Sequence, residues 1–274
     1  MSLRQLIAPR VTAVTLDEVR AHCRVHERDD DADLERYLRT AIATVERDTG
    51  RQLVDAKYRY TMENWQTKLR LPRAPLAAVD SISYLNGSGV RTTLASSAYT
   101  VQTDNEPGVV VPAYNTSWPN LRIYADSVRV EYWAGCAAWV MDIDANELTV
   151  YGRPFSDGDE VTLWSPGDFP SGIDAGGQYY VVDADRTGSL TTFSLATEEG
   201  GEPLDITSEL GATLWITPHA ELFQIGRQAV LLLTGHLYEA REATTPESIR
   251  EIPLGAARLI EQLQFGAELY NWEQ

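Results

Sequence analysis

The residues best suited to bind a metal are two histidines and a cysteine near the N-terminus, in the pattern His22-Cys23-x-x-His26. If this segment is helical, His22 and His26 lie four residues apart and could both reach one ion. A zinc site needs further ligands, and the other two histidines, His219 and His236, follow roughly 200 residues later. We therefore interpret His22 and His26 as solvated side chains near a helix end, and we predict no metal and no cofactor.

Two acidic segments resemble the start of a calcium-binding loop. The segment Asp183-x-Asp185-x-Thr187-Gly188 has the early ligands, but Ser194 stands where the loop needs a bidentate glutamate. In Asp142-x-Asp144-x-Asn146, Glu147 occupies the position that requires glycine. We interpret both segments as polar β-turns.

The sequence motifs of common catalytic sites are missing. The chain has no Gly-Lys-Ser/Thr phosphate loop, no Gly-x-Gly-x-x-Gly and no Gly-x-Ser-x-Gly. Its 40 acidic residues would allow many carboxylate pairs for glycoside hydrolysis, but their spacing selects no pair. We predict that the protein is not an enzyme.

Aromatic residues are the remaining candidates for a binding site. Five of the seven tryptophans lie in or beside predicted β-structure: Trp118, Trp133, Trp139, Trp164 and Trp215. They could form a sugar-binding platform, but aromatic side chains of this kind more often fill a core or a subunit interface. We favour core or interface and keep a receptor- or glycan-binding module as the alternative.

The elements that position these residues begin with two N-terminal helices. Thr15 and Glu18 form a capping box that opens a short helix. The run Asp29-Asp30-Asp31 supplies an N-cap for a second helix, whose apolar residues from Leu34 to Val45 form one stripe. Gly50 is expected to end this helix.

Two β-rich regions fill the middle of the chain. The first, residues 56–133, contains the turn Asn86-Gly87-Ser88-Gly89, which predicts a hairpin. The second, residues 139–216, has Gly- and Asp-rich turns at short spacing, which predicts a small barrel or sandwich. The predicted strands are 57–62, 69–71, 79–85, 99–103, 109–111 and 127–133, then 148–151, 160–164, 178–183, 192–195 and 213–216.

Helix returns near the C-terminus. Thr217 and Pro218 predict an N-cap and first helical position for a helix that extends to Arg241. Its middle, residues 229–233, is apolar on every side, which indicates the central helix of a bundle. A shorter amphipathic helix over 254–263 precedes an aromatic segment: Phe265, Leu269, Tyr270 and Trp272.

The order of these elements predicts an α+β fold in which helices from both chain ends pack against each other. We divide the chain into N-terminal helices (1–55), a β-section (56–136), an inserted β-domain (137–217) and a C-terminal helical segment with its tail (218–274).

Composition limits the function further. A net charge of −17 is opposite to what a nucleic-acid binder needs, so specific DNA binding is not expected. An acidic wall would suit a conduit to which DNA must not adhere, although acidity can also serve solubility alone. No stretch of 18 apolar residues and no secretory signal is present, and Cys23 and Cys136 are expected to be reduced and buried.

Several segments together resemble the siphophage head–tail connector family. They are residues 14–22 and 45–51 around the first helices, 69–76, 79–85, 107–112 and 128–135 in the β-section, and 225–241 in the long C-terminal helix. The resemblance covers roughly residues 11–136 and 219–260. The β-rich insert near 137–217 departs from the family pattern, in which the closing helix follows almost directly.

The resemblance implies a structural part at the neck of a phage particle or of a gene transfer agent, assembled in the bacterial cytoplasm. Such adaptors form a ring, typically of twelve copies, between the portal protein and the next component, a stopper or tail terminator. DNA passes through the centre of the ring. The C-terminal segment docks on the portal, so Phe265, Leu269, Tyr270 and Trp272 are the expected portal-binding residues.

Overall fold

The structure is a computed structural model that describes residues 1–144, 146–206, 212–240 and 253–264. In this part of the chain, helices lie towards both ends and antiparallel strands lie between them. The predicted α+β class is confirmed. No described helix is long and apolar enough to cross a membrane.

Four helices from the two ends of the chain form one bundle. They are α1 (Leu16–Cys23), α2 (Asp31–Thr49), α3 (Ala220–Glu239) and α4 (Leu254–Leu263). Helix α3 contacts the other three helices. Its residues Ala229, Val230 and Leu233 are buried in a shared core with Leu34, Leu38 and Val45 of α2. The apolar middle of α3 is thus at the centre of the bundle, as predicted.

The caps of α1 and α2 follow the sequence signals with one exception. The amide of Thr15 donates to the Glu18 carboxylate (2.8 Å), which confirms the capping box. Gly50, with φ of +70°, ends α2. Asp30 occupies the N-cap position of α2, but its carboxylate accepts the hydroxyl of Tyr238 (2.7 Å) instead of capping the helix.

The β-section consists of two antiparallel sheets. The larger has the order β1-β2-β8-β4-β5 and the smaller has the order β3-β7-β6. Their bounds are β1 Ser2–Ile7, β2 Ala56–Met62, β3 Leu69–Arg70, β4 Leu76–Leu85, β5 Arg91–Leu94, β6 Tyr99–Gln102, β7 Val109–Pro112 and β8 Val128–Ala134. The predicted hairpin turn at 86–89 is confirmed, but it connects β4 to β5, a strand that was not predicted, and not to the strand predicted at 99–103.

Six further strands each pair with two neighbours, so this sheet closes on itself in the order β10-β13-β12-β11-β14-β9. Their bounds are β9 Ala138–Asp144, β10 Glu147–Tyr151, β11 Glu160–Trp164, β12 Gln178–Thr187, β13 Leu190–Ala196 and β14 Leu214–Thr217. Alternate side chains, among them Leu148, Leu163 and Phe193, fill the interior. We call this unit the barrel.

The start of α3 corrects the sequence prediction. Thr217 is the last residue of β14 and not an N-cap, because its hydroxyl donates to the carbonyl of Cys136 (2.7 Å). The same oxygen accepts the amide of His219, which is the N-cap position. Tertiary pairing has therefore extended the strand by one residue and delayed the helix to Ala220.

Neither cysteine is in a disulfide, and only one of the two is buried. Burial raises the pKa of the Cys136 thiol to about 12, which keeps it protonated and unreactive at neutral pH. Cys23 is partly exposed on α1, so the expectation that it is buried is wrong. Helix α1 ends immediately after it because Arg24 is left-handed (φ +55°).

Candidate assembly interface

The predicted portal-binding residues, Phe265, Leu269, Tyr270 and Trp272, lie outside the described residues. The structure does describe α4, the helix that precedes them in the sequence. Helix α4 buries Ala256, Ile260 and Leu263 against the other helices and ends at Gln264. The side-chain amide of Gln264 donates to the carbonyl of Asp48 at the end of α2 (3.0 Å).

Arg51 anchors this end of α4. Its Nε donates to the carbonyl of Leu263 (2.5 Å), and its two terminal nitrogens donate to the carboxylate of Glu106 (2.6 Å each). Arg51 is buried and Glu106 lies in the turn between β6 and β7. The end of α4 is thereby fixed at the junction of the bundle and the β-section.

Four aromatic residues form a row across the outside of the barrel. Tyr151, Trp139, Trp215 and Trp164 are directly opposite one another on β10, β9, β14 and β11. Directly opposed residues of antiparallel strands point to the same face, so the four rings share one side of the barrel. We call them the aromatic row.

The aromatic row is where the barrel contacts the rest of the protein. Trp215 is fully buried in the core of the helical bundle, 6.1 Å between ring centroids from Phe223 of α3. Tyr151 packs edge-to-face on Trp133 of β8 (5.7 Å). Trp133 and Trp215 are fully buried, which confirms the prediction of core positions for these two and leaves Trp215 inaccessible to a sugar. A role of the other tryptophans in a subunit interface stays a prediction.

Arg227 of α3 joins the barrel to the bundle. Its guanidinium lies over the rings of Trp164 (4.6 Å) and Trp215 (5.2 Å), an arrangement that cation–π attraction favours. It also donates hydrogen bonds to the carbonyl of Ala13 and to the carboxylate of Glu18. One buried side chain therefore contacts the barrel, α3 and the N-terminal cap of α1.

Arg153 makes the corresponding connection between the barrel and the β-section. Its Nε and Nη2 donate to the two carboxylate oxygens of Asp55 (2.9 and 2.7 Å), and Nη2 also reaches the carbonyl of Gly135. Both side chains are nearly inaccessible to solvent, at 5% and 1% exposure. Burial disfavours the charge of Arg153, but the neighbouring Asp55 outweighs this and raises its pKa.

These three arginines were not predicted. No motif surrounds any of them, and the carboxylates with which they pair, those of Glu106, Asp55 and Glu18, lie 55 to 209 residues away in the sequence. Arg51 and Arg227 lie in segments that resemble the connector family, residues 45–51 and 225–241, but nothing in those segments marks them as contacts between elements. Gly135, in the family-like segment 128–135, marks the place where the chain approaches Arg153 and Asp55. A Cβ at this position would overlap Asp55, so the chain approaches the ion pair through a residue without a side chain.

A cleft of about 460 Å³ separates the β-section from the barrel beside this ion pair. Leu76, Asp104, Glu106, Glu160 and His219 are among its lining residues. Burial, with a further contribution from the charge of Arg153, lowers the pKa of His219 to about 4, so the imidazole is neutral at physiological pH. The exposed wall of the cleft is acidic.

None of the described residues forms a metal site. Within the described ranges, no group of three or more His, Cys, Asp or Glu side chains is arranged to hold an ion. His22 is exposed on α1, whereas His26 follows the end of that helix and is not on its surface. The i, i+4 spacing on which a shared metal would depend is therefore not realised in a helix.

Comparison with known proteins confirms the resemblance to head–tail connectors. Residues 13–86 match the model of the phage gp6-like head–tail connector protein family. No curated protein matches the chain significantly.

The fold is similar to that of chains from gene transfer agent (GTA) particles. One is in the virion of a native GTA particle, with a TM-score of 0.54, 20% identity, and coverage of 97% of this chain and 96% of that chain. Two others, with the same identity and coverage, are in the neck of a native GTA particle computed with C12 symmetry (TM-score 0.53) and the neck of an empty particle computed with C6 symmetry (0.52). The uncovered 3% is much shorter than the barrel, so the shared fold includes it.

Proposed function

We propose that the chain is a structural head–tail adaptor of a tailed phage or gene transfer agent, a part that holds the portal and the tail together. The observation that carries this proposal is the fold shared, over nearly the whole of both chains, with proteins in the neck of GTA particles. The connector family match over residues 13–86 supports it independently. The role is non-enzymatic and needs no cofactor.

The internal connections suit a part that must transmit force without changing shape. Arg51, Arg153 and Arg227 each join separate elements through buried, multidentate contacts. A bidentate arginine–carboxylate pair fixes the relative direction of the two side chains as well as their distance, which a single hydrogen bond does not. A barrel held in this way keeps a defined position relative to the bundle.

In this proposal the copies form a ring, with twelve as the expected number. A chain of similar fold comes from a neck computed with C12 symmetry, which supports cyclic assembly. Cyclic rings of more than two copies use two different surfaces of each subunit, one towards each neighbour. The partners would be the portal protein on one side and a stopper or tail terminator on the other.

DNA would pass through the centre of this ring without specific binding. A chain with a net charge of −17 offers few attractive contacts to phosphates and repels them at long range. Acidic lining would therefore favour passage over adhesion.

The C-terminal segment is the proposed portal-docking element. Its aromatic residues, Phe265, Leu269, Tyr270 and Trp272, are the types that dominate anchoring pockets at interfaces. Because α4 is anchored up to Gln264 by Arg51 and Asp48, a chain ending at Gln264 should retain the bundle. We expect this truncated chain to melt like the full-length protein but to be absent from portal-containing heads. Normal incorporation of the truncated chain would exclude the docking role.

The function itself is tested by locating the protein in intact particles. Antibodies raised against the full-length chain, coupled to gold and viewed by electron microscopy, should label the junction of head and tail. Labelling of the tail tip would instead favour the receptor- or glycan-binding alternative. Particles lacking the protein supply the control for background labelling.

A further inference from the structure

Two loops at the end of the β-section far from the barrel form one surface, which we call the tip. It consists of the β4–β5 turn (86–90) and the connection between β7 and β8 (113–127). The amide of Arg122 donates to the carbonyl of Leu85 (3.0 Å), and Arg91 donates to the carbonyl of Asp126 (2.6 Å). These bonds hold the two loops against each other.

The tip exposes apolar and aromatic side chains. Eight large apolar side chains are exposed among the described residues, and four of them are here: Val90 (59% exposed), Tyr114 (93%), Ile123 (70%) and Tyr124 (67%). Concentration of such residues in one place marks an interaction surface more often than scattered exposure does. The tip is therefore a candidate contact with another protein.

The connection that carries these residues is internally braced. Trp118 stacks on Trp65 at 4.7 Å between ring centroids and donates its indole N–H to the carbonyl of Gln66 (2.8 Å). The hydroxyl of Ser127 accepts the amide of Tyr124 (2.7 Å) and donates to nearby carbonyls. Tyr124 and Ile123 thus project from an ordered turn.

The tip also differs in charge from the rest of the chain. Within residues 86–90 and 113–127 the charged residues are Arg122 and Asp126, although the whole chain has 40 acidic residues. The carboxylate of Asp126 is paired with Arg129 and lies 3.7 Å from Arg91, so its charge is balanced by neighbouring arginines. A surface of this composition can approach an acidic protein without repulsion, and Arg122, which is exposed, adds attraction.

An acidic surface lies at the opposite end of the same sheet. Strand β4 begins at Leu76, which lines the cleft beside the barrel, and ends at Leu85, next to the tip. Its ten residues span about 33 Å at roughly 3.3 Å per residue. The cleft wall exposes Asp104, Asp159 and Glu160.

We propose that the tip of one copy docks against the acidic cleft of a second copy of this chain, through Tyr124, Ile123 and Arg122 on one side and Asp104 and Glu160 on the other. The inference rests on the ring assembly proposed above and identifies the two surfaces that it joins. The two surfaces are different and lie at opposite ends of a sheet, as head-to-tail closure requires. The separation of about 33 Å prevents them from meeting within one chain.

A photo-crosslink tests this contact in assembled particles. The full-length chain, with p-benzoylphenylalanine in place of Tyr124, replaces the native protein in cells that produce the particle. After irradiation we expect a crosslinked dimer whose linked peptide contains residues 103–106 or 153–160. The same probe in place of Leu190, an exposed apolar residue of the barrel, is the matched control and should not give that peptide.

The outcomes separate the contact from the function. A crosslink from position 124 to a different particle protein, or no crosslink in particles that contain the chain at the neck, overturns the docking proposal and leaves the adaptor role intact. Absence of the unsubstituted chain from the neck overturns the adaptor role itself.

Charge exchange provides a second test that does not depend on the probe. We expect Arg122→Glu to reduce incorporation into particles at least fivefold, and the double variant R122E/E160R to restore at least half of it. Arg36→Glu, an equal charge change on the exposed face of α2, should leave incorporation unchanged. If adding E160R to R122E does not restore incorporation, although all variants melt normally, the pairing is contradicted.

Discussion

At the scale of single residues, the buried ion pair of Asp55 and Arg153 determines how the barrel joins the β-section. Arginine is suited to this place because its planar fork satisfies both carboxylate oxygens and the carbonyl of Gly135 at once. The ion pair fixes the orientation of the barrel relative to the β-section. A buried pair of this kind does not have to add much to the free energy of unfolding. Breaking it is costly because the remaining charge stays buried.

Arg153→Met should therefore lower the free energy of unfolding by about 3–5 kcal/mol. The reason is that the Asp55 side chain, at 1% exposure, would be left buried without its cation. Arg39→Met removes an ion pair with Glu35 on the surface of α2, where both side chains are more than half exposed. This control should cost less than about 0.5 kcal/mol. Urea unfolding measures both, and equal losses would contradict the role of burial.

Glu46 makes a pH-dependent contribution. Burial raises its pKa from 4.5 to about 7, although the amide of Leu53 donates to its carboxylate and favours the charged form. The folded protein therefore holds this proton to higher pH than the unfolded chain does. Unfolding releases the proton between about pH 4.5 and 7, so the stability due to this group falls as pH rises through that window.

Glu46→Gln removes this dependence and keeps a carbonyl oxygen to accept the bonds from Leu53 and Gln52. We expect the wild-type protein to lose stability relative to the variant from pH 5 to 7, with no further change above pH 8. Unfolding in urea at each pH gives the difference. A difference that is the same at all pH values would show that the carboxyl does not titrate in this window.

At the scale of elements, the two glycines of α3 have different roles. A Cβ at Gly226 would overlap the side chain of Leu53, which is fully buried, so that any shift of Leu53 must displace other core residues. A Cβ at Gly235 would lie 3.3 Å from the ring of His22, which is exposed and can move aside. Of these two glycines, therefore, only Gly226 is needed for the close approach of α3 to the chain that follows α2.

Gly226→Ala should destabilise the protein by up to about 2 kcal/mol, because overpacking costs about 1–3 kcal/mol and the helix-propensity gain offsets only about 1 kcal/mol of it. Gly235→Ala should be neutral or stabilising by up to about 1 kcal/mol, because only the propensity term remains. Thermal melting of the two variants distinguishes the sites. Stabilisation by both changes would show that Leu53 can adjust.

Elements whose signals are local could be predicted from the sequence. Helix α2 has an unbroken apolar stripe and a terminal glycine, and α1 has a capping box, so both were placed within a residue or two. The strands β1, β5 and β9 were missed. Strand β1 (Ser2–Ile7) is mostly exposed and is ordered by pairing with β2, more than 50 residues away, which no local pattern reveals.

At the scale of the whole molecule, the outer face of the barrel that carries Trp164 and Trp215 shares the core of the bundle, whereas the barrel interior is a core of its own. Sequence patterns identified the tryptophans but not their direction, because the register of β9, β14 and β11 decides which side chains face outwards. The shared core also means that the boundaries at 136 and 217 remain a prediction about chain segments and not a demonstrated division into independent units.

Trp215→Ala should destabilise both units together, by about 3–5 kcal/mol for loss of a large buried aromatic. Hydrogen exchange should rise in α3 as well as in β11 and β14, since Trp215 packs on Phe223 of α3. Trp118→Ala, which removes a partly buried ring from the tip, should affect exchange near the tip only. Protection of α3 unchanged by Trp215→Ala would contradict the shared core.

The measurement that tests the adaptor role most directly is electron microscopy of particles produced when this gene is deleted. The proposal predicts DNA-filled or leaking heads lying beside separate, complete tails, with joining restored by the wild-type gene. Intact tailed particles that only fail to bind cells would contradict the adaptor role and favour a receptor-binding function.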